Sequence, residues 1–279
     1  MTLKISIITP TFNAEKYLED TIKSVQMQEY TNVEHIVVDG GSTDSTIEIL
    51  KKYSHLKWVS EKDNGQSDAM NKGFALSSGD IIGYLNADDY YNPNVFNTII
   101  RYFNKGAFFV QGKIKVERED KSFTINNAQT TFQGLIRHWE PNAFCVNPVG
   151  YFYRREVQQK VGGFDVNNHF SMDLQFLIGI AKLYSITKIN EDIILGVFRY
   201  YEQTKTSKDQ SKSDLWCPKT FWYIDEFIKY LPEEEKQQYY KEREQGYEMR
   251  KKWQAMEKNS RKNLLEKAKY LLKKNKIIL

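Results

Sequence analysis

Polar and apolar positions alternate in a regular rhythm over the first hundred residues. Short β-branched runs at Lys4 to Thr9, Glu34 to Val38, Leu56 to Ser60 and Asp80 to Leu85 predict strands. Between them apolar positions recur at helical spacing: Ala14 to Gln28 (Tyr17, Leu18, Ile22, Val25), Ser42 to Tyr53, and Gly65 to Leu76 (Ala69, Met70, Phe74). Helix starts are signalled by Asn13, by Ser42 or Thr43 after Gly40-Gly41, and by Asn64-Gly65. Strand, helix, strand, helix predicts a doubly wound α/β sheet of parallel strands with crossover helices on its faces.

From Ala107 the rhythm becomes irregular. The pattern predicts strands at Phe108 to Val116 and Val149 to Tyr153, helices near Thr130 to His138 and Ser171 to Leu183, and a pair of strands at Ser185 to Ile189 and Ile194 to Tyr200. The polar stretch TKTSKDQSKSD then reads as a loop, followed by a helix at about Leu215 to Tyr230 that Pro232 ends. Residues 233–276 lack both Pro and β patterning and read as one or two long helices.

Composition narrows the class. With 41% hydrophobic, 14% aromatic and 27% charged residues, the 279-residue chain has a core to bury and is not a disordered sequence. No segment approaches the roughly 18 apolar residues of a membrane span, and the N-terminal apolar run is too short for a secretory signal, so a cytoplasmic protein is expected. Cys145 and Cys217 stand far apart without ligand spacing, which argues against a zinc site or a disulfide framework. The net charge of +4 is unevenly placed: residues 249–279 carry eleven Lys or Arg against two Glu, a net +9, which leaves −5 on residues 1–248. A mildly acidic body excludes a broadly basic nucleic-acid-binding surface. In the tail, Leu264, Leu265, Ala268, Leu271 and Leu272 follow helical spacing with lysines interleaved. Such a basic amphipathic helix suits peripheral contact with an anionic membrane, packing on the catalytic domain, or a homodimer contact.

In an open α/β sheet, ligands bind beyond the carboxyl ends of the strands. Here those ends read Thr9-Pro10-Thr11-Phe12-Asn13, Asp39-Gly40-Gly41-Ser42-Thr43-Asp44, Glu61-Lys62-Asp63-Asn64-Gly65 and Asn86-Ala87-Asp88-Asp89. A single Asp after a strand is ordinary turn chemistry. Four polar ends, three of them acidic, on one rim point to a site. Residues two apart on an extended strand share a face, so Asn86 and Asp88 are expected to face a ligand together with Asp89 turned elsewhere. GxGxxG is absent after the first strand, as is a Walker P-loop, which argues against a nicotinamide-dependent oxidoreductase and a P-loop enzyme. A sugar nucleotidyltransferase would be expected to show a Gly-rich, Arg-containing phosphate loop, also missing.

Five blocks in order resemble the GT-A glycosyltransferases, specifically the large inverting family 2: ISIITPTFN at 5–13, VVDGGSTDST at 37–46, EKDNGQSDAMNKG at 61–73, GDIIGYLNADD at 79–89 and VGGFDVNNHFSMD at 161–173. The set is specific as a set and spans roughly residues 3–200. The resemblance implies a Rossmann-like doubly wound mixed sheet over residues 1–204, with a nucleotide-sugar half at about 1–106 and an acceptor half at about 107–204, followed by a helical extension over 205–279. It implies a nucleoside diphosphate sugar donor, with a UDP-sugar favoured, and a glycan or lipid-linked glycan acceptor. Thr9, Pro10 and Phe12 would border the nucleotide, Asp39 would bond its base or ribose, and Asp68 would contact it, although Asp39 could equally cap its own turn. Asn86, Ala87, Asp88 and Asp89 match the acid-x-acid signature, with Asp88 holding a divalent metal, Mn²⁺ or Mg²⁺, and Asp89 in a supporting or sugar-contacting role. Asn86 departs from the signature, because an amide oxygen can ligate a cation but brings no charge. Asp173, after the GGFD block, would be the base that takes the acceptor proton, with His169 as the fallback. Arg154 and Arg199 are expected on the acceptor side or near phosphate, or in structural ion pairs. A scaffold or nucleotide-sugar-binding subunit that keeps the fold without transfer is the competing reading.

Overall fold

The structure, a computed structural model, describes residues 2–140, 143–169, 171–202, 204, 218–249, 251–252 and 256. In chain order its elements begin with β1 (Ile5–Thr11), α1 (Leu18–Gln26), β2 (Val33–Asp39), α2 (Thr46–Lys51), β3 (Lys57–Ser60), α3 (Gln66–Leu76), β4 (Ile81–Tyr84), β5 (Tyr90–Tyr91) and α4 (Val95–Asn104). They continue with β6 (Phe109–Gln111), β7 (Lys113–Arg118), β8 (Phe123–Asn126), α5 (Phe132–Ile136), β9 (Tyr151–Arg154), α6 (Arg155–Val161), α7 (Met172–Leu183), β10 (Ile186–Lys188), β11 (Ile194–Tyr200) and α8 (Pro218–Ile228). Residues 1–224 form one compact unit and 225–279 a second.

The first unit is built on a seven-stranded sheet in the order β10-β6-β9-β4-β1-β2-β3. β1 lies between β2 and β4, parallel to both, and all seven of its residues are buried, which is why its sequence reads as a continuous run rather than an alternation. Leu18 and Ile22 of α1 meet Ile49 and Leu50 of α2, Val37, Leu56 and Ala87 in one apolar cluster. Each such aliphatic side chain contributes about 1.5–3 kcal/mol on burial. On the other side, α3 lies so close to β1 that a Cβ at Gly73 would stand 2.3 Å from Ile8 Cγ2. That closeness carries the start of α3 to the end of β1.

Four sequence expectations change, the first being that the helix expected from Ser42 or Thr43 begins only at Thr46, with Ser45 in the capping position. The run Phe108 to Val116 is two strands, not one: β6 joins the large sheet, while β7 joins a four-stranded sheet in the order β5-β11-β7-β8. The switch falls at Gly112, where a Cβ would meet Leu195 Cγ at 2.6 Å. The strands expected as a pair, β10 and β11, lie in different sheets. Asn13 does not cap its own helix; at φ 47° its N–H donates to the Ser42 hydroxyl oxygen at 2.7 Å, and its side-chain oxygen accepts from the Thr43 N–H at 2.9 Å. α1 therefore starts only at Leu18, with Tyr17 in the capping position.

In the second unit a helix runs over 233–249, Tyr239 is buried, and Arg243 donates to both carboxylate oxygens of Asp225 at 2.9 and 3.1 Å. The basic stretch beyond it, like Cys217, falls almost wholly outside the described residues. No described helix is long and apolar enough to cross a membrane.

Candidate active site

Strand order reverses between β1, from which the chain winds through β2 to β3, and β4 on the other side. The last rung of that pair is the Leu85 N–H donating to the Ile8 carbonyl at 3.0 Å. Two residues on, Pro10 aims its ring nitrogen to the same side, where the ladder has ended. A residue without an N–H therefore fits there without losing a bond. The parting strands open a cavity of about 1060 Å³ lined by residues from the ends of β1, β2, β3, β4 and β11 and from the starts of α3 and α7. This is the position at which ligands bind open α/β sheets.

After Tyr84 the chain leaves the sheet and turns, the Asp89 N–H closing on the Asn86 carbonyl at 3.1 Å. The turn, and not strand alternation, puts Asn86, Ala87 and Asp88 on the cavity wall and sends Asp89 inward. The two acids are then treated differently. Asp89 is fully buried and accepts from Asn86 Nδ2 at 3.0 Å, Asn147 Nδ2 at 2.8 Å and the Arg199 N–H at 3.0 Å. Burial, and then the Asp88 charge, push its carboxyl well above the usual carboxylate range. Asp88 accepts the Tyr201 hydroxyl at 3.0 Å, and burial raises its carboxyl too, against the opposing pull of Tyr201 and Arg199. Arg199 fastens the turn from behind: it donates to the Asp88 carbonyl at 3.0 Å and to Asp20 at 2.8 Å, with the Tyr17 and Tyr90 rings 4.7 and 4.5 Å from the guanidinium.

The far wall comes from the helix starts. Gly65, at φ 103°, precedes α3 in a left-handed conformation that suits glycine, and a Cβ there would press on His169 Nδ1 at 3.3 Å. Asn71 of α3 grips the GGFD segment with both ends of its amide, accepting from the Phe164 N–H and donating to the Phe164 carbonyl, each at 2.8 Å. Ser67 donates to Met172 Sδ at 2.8 Å. These contacts dock the start of α7 against α3 and bring Asp173, in the first turn of α7, into the same cavity as Asp88.

The sequence matches the profile described as Glycosyl transferase family 2 over residues 6–162, more than half of its length. The chain belongs to glycosyl transferase family 2. Among its relatives are an uncharacterized glycosyltransferase of Nostoc sp., 29% identical over 81% of this chain and 76% of that one, and one of Mycobacterium tuberculosis, 30% identical over 63% and 68%. Similar solved structures include Staphylococcus aureus TarS 1–349 in complex with UDP-GlcNAc (TM-score 0.66, 19% identity, 85% of this chain and 70% of that one). Another is the mannosyltransferase PcManGT of Pyrobaculum calidifontis with GDP-Man and Mn²⁺ (0.54, 18%, 71% and 57%). The family 2 chain spans 42% of the longer TarS structure. The architecture is thus the GT-A type that the sequence blocks implied.

In this family 2 chain the cavity gathers Pro10, Phe12, Asn86, Ala87, Asp88, His169 and Asp173. It does not gather the others. Thr9 turns into the core, where its hydroxyl lies 2.9 Å from His35 Nε2. Asp39 is fully buried and organises its own turn, accepting from the Gly41 and Ser42 N–H groups, the Ser42 hydroxyl and, at 2.7 Å, the Ser60 hydroxyl. Asp68 holds the preceding turn through the Asn64 N–H at 3.0 Å, beside Lys72. Arg154 is at the opposite end of the sheet, because β9 runs antiparallel and pairs Arg154 with Ile81 at the start of β4; it donates to the Ala107 and Phe103 carbonyls. Arg199 lies behind the wall rather than in it. Sequence reasoning missed Lys16, Lys62, Gln66, Asn147 and Tyr201, of which Gln66 donates to Asn86 Oδ1 at 3.0 Å. Tyr201 lies two residues after Arg199, and Asn147 precedes a proline in a cap position, but neither signal distinguishes a site residue from a turn.

Proposed function

We propose that the protein is an inverting, metal-dependent glycosyltransferase that moves a sugar from a nucleoside diphosphate sugar, a UDP-sugar by preference, to a hydroxyl of a glycan or lipid-linked glycan in surface polysaccharide synthesis. The observation that carries this is the sharing of one cavity by Asp88, on the turn after β4, and Asp173, on the first turn of α7. An inverting displacement needs charge neutralisation at the departing diphosphate and a base on the other side of the anomeric carbon, and these two acids approach the cavity from different elements. The TarS complex with UDP-GlcNAc favours a UDP-sugar as donor, and the Mn²⁺ in the PcManGT complex favours a metal.

The residues fit a cation carried largely by the substrate. Among the described residues no three His, Cys, Asp or Glu side chains form a cluster that would cage a metal. Magnesium-type sites commonly use one or two carboxylates together with substrate phosphates, and Asp88 offers one carboxylate whose burial leaves it in need of a counter-charge. Asp88 would hold the ion, and the Asn86 side-chain oxygen, which already accepts from Gln66, keeps a second lone pair that could join it. When bound, the ion would neutralise charge on the departing diphosphate. Asp173 takes the proton from the acceptor hydroxyl as that oxygen attacks. Asp89, Asn147 and Arg199 keep the Asp88 turn in shape. The apolar edge of Phe12, 62% exposed at the cavity mouth, is available to stack on the base. The net +9 of residues 249–279 supports peripheral membrane contact near a lipid-linked acceptor, which sedimentation with anionic liposomes checks against a chain truncated at 248.

The test is a thermal-shift screen of UDP-, GDP- and dTDP-sugars with Mn²⁺ and with EDTA, followed by assay of nucleoside diphosphate release. Stabilisation by a UDP-sugar that Mn²⁺ strengthens, with UDP released on turnover, is the expected result. Stabilisation without release would mark a binding subunit, and no response to any donor would end the nucleotide-sugar reading.

A further inference from the structure

The reading of the cavity as a donor site leaves one problem. With an amide at Asn86, the protein offers the metal a single cavity-facing carboxylate on this turn, so the donor's own phosphates must help hold the ion and need a protein partner of their own. The cavity contains two cations, Lys16 and Lys62. Neither has a carboxylate within ion-pair distance among the described residues, in contrast to nearby Lys72, paired with Glu61 at 2.8 Å and Asp68 at 3.4 Å, and Arg199, paired with Asp20 at 2.8 Å. A cation at a cavity wall without an internal counter-ion is available to an anionic ligand.

Position separates the two lysines. Lys62 follows β3, and β3 is three strands from β4, roughly 14 Å at the usual spacing. Lys16 stands on the loop after β1, the strand next to β4. Its ammonium lies 4.8 Å from the Tyr17 ring centroid and 5.7 Å from that of Tyr201. The two rings meet edge to face at 5.2 Å, and the Tyr201 hydroxyl donates to Asp88 Oδ2 at 3.0 Å. Lys16, Tyr17, Tyr201 and Asp88 therefore form one continuous wall, which presents a fixed positive charge beside the metal-holding carboxylate.

We propose that Lys16 binds the diphosphate of the donor directly, held over the Tyr17 and Tyr201 rings, and supplies part of the leaving-group charge neutralisation independently of the metal. Tyr201 serves as its platform and ties its position to that of Asp88. The proposal rests on the cavity being a nucleotide-sugar site, and it assigns one side chain to one part of the donor.

Calorimetric titration of UDP, GDP and dTDP, each against its nucleoside, into the wild type, Lys16→Met, Lys16→Gln and Lys16→Arg tests it, with Mn²⁺ and in EDTA. Lys16 is exposed, so the variants are expected to melt with the wild type. For whichever nucleoside diphosphate binds, Lys16→Met and Lys16→Gln are expected to weaken affinity in EDTA by about tenfold or more, as loss of a charged hydrogen bond does. The loss should be smaller with Mn²⁺, Lys16→Arg should retain most of the affinity, and binding of the nucleoside should not change. Unchanged diphosphate affinity in EDTA overturns the proposal, as does equal weakening for nucleoside and diphosphate. A wild type that binds none of the three diphosphates overturns the donor-site reading itself, and this assignment with it.

Discussion

The two rims of the large sheet use the same kinds of residue for opposite ends. At the amino ends of β1, β2 and β4, Glu34 is saturated: it accepts from Ser6 Oγ at 2.6 Å, Lys4 Nζ at 2.9 Å, Lys57 Nζ at 2.6 Å and the Ser78 N–H at 2.6 Å. Arg154 and Arg155 are likewise spent on carbonyls and the Ser77 hydroxyl. At the carboxyl ends, Asp88 and Asp173 face a cavity together with Lys16 and Lys62. Charges that face polar partners fasten the chain, whereas charges that line a cavity face whatever enters it, and it is partner geometry rather than residue type that separates them.

Four changes would break or sharpen that contrast. Asp173→Asn is expected to have the largest effect, lowering sugar transfer by about 10²-fold or more while melting temperature and donor affinity stay near wild type; transfer rates and a thermal melt read both. On the other rim Glu34→Gln should act in reverse, costing about 2–3 kcal/mol of stability in denaturant titrations with donor affinity of the folded protein retained, because it leaves a buried set of donors without its charge. That difference should depend on pH. Burial alone would raise the Glu34 carboxyl, but donation from Lys57, Ser6, Lys4 and the Ser78 N–H outweighs it and holds the group below the usual carboxylate range. The folded pKa is depressed, so its contribution is complete above about pH 4.3 and is lost as pH falls toward the folded value. Unfolding curves of the two proteins should accordingly converge in acid.

Arg199→Ala is expected to cost about 1–3 kcal/mol of stability, since the Asp88 carbonyl loses its donor, and to raise the donor KM more than it lowers kcat. A catalytic arginine would show the reverse split in steady-state kinetics. Lys57→Met should be the mildest, about 0.5–1 kcal/mol by the same denaturant titration, because Lys57 is 57% exposed and Glu34 keeps its other donors.

Much of this arrangement was legible in the chain. The four strands expected in the first hundred residues are found within two residues of their expected ends, because β1, β2 and β4 are buried and read as unbroken runs. The site's location followed from the same pattern, since polar residues crowd the ends of those strands. What was hidden depends on chain return. Arg199 reaches Asp88 and Asp89 across more than a hundred residues, and Asn147 reaches Asp89 across 58, so no local spacing announces them. The split of residues 108–116 between two sheets was hidden for the same reason, as was the antiparallel course of β9 that carries Arg154 to the wrong end. Asp39 and Asp68 show the other side of the same limit: they stand at strand-end and helix-start positions, and the N–H and hydroxyl groups that bond their carboxylates are not announced by those positions.

The separation of roles between Asp88 and Asp173 is tested most directly by one calorimetric comparison: UDP titrated with and without Mn²⁺ into the wild type, Asp88→Asn and Asp173→Asn. Asp88→Asn should lose the Mn²⁺-dependent part of the affinity while Asp173→Asn keeps it whole. Equal Mn²⁺ enhancement in the wild type and Asp88→Asn, or its loss in Asp173→Asn, would contradict the assignment.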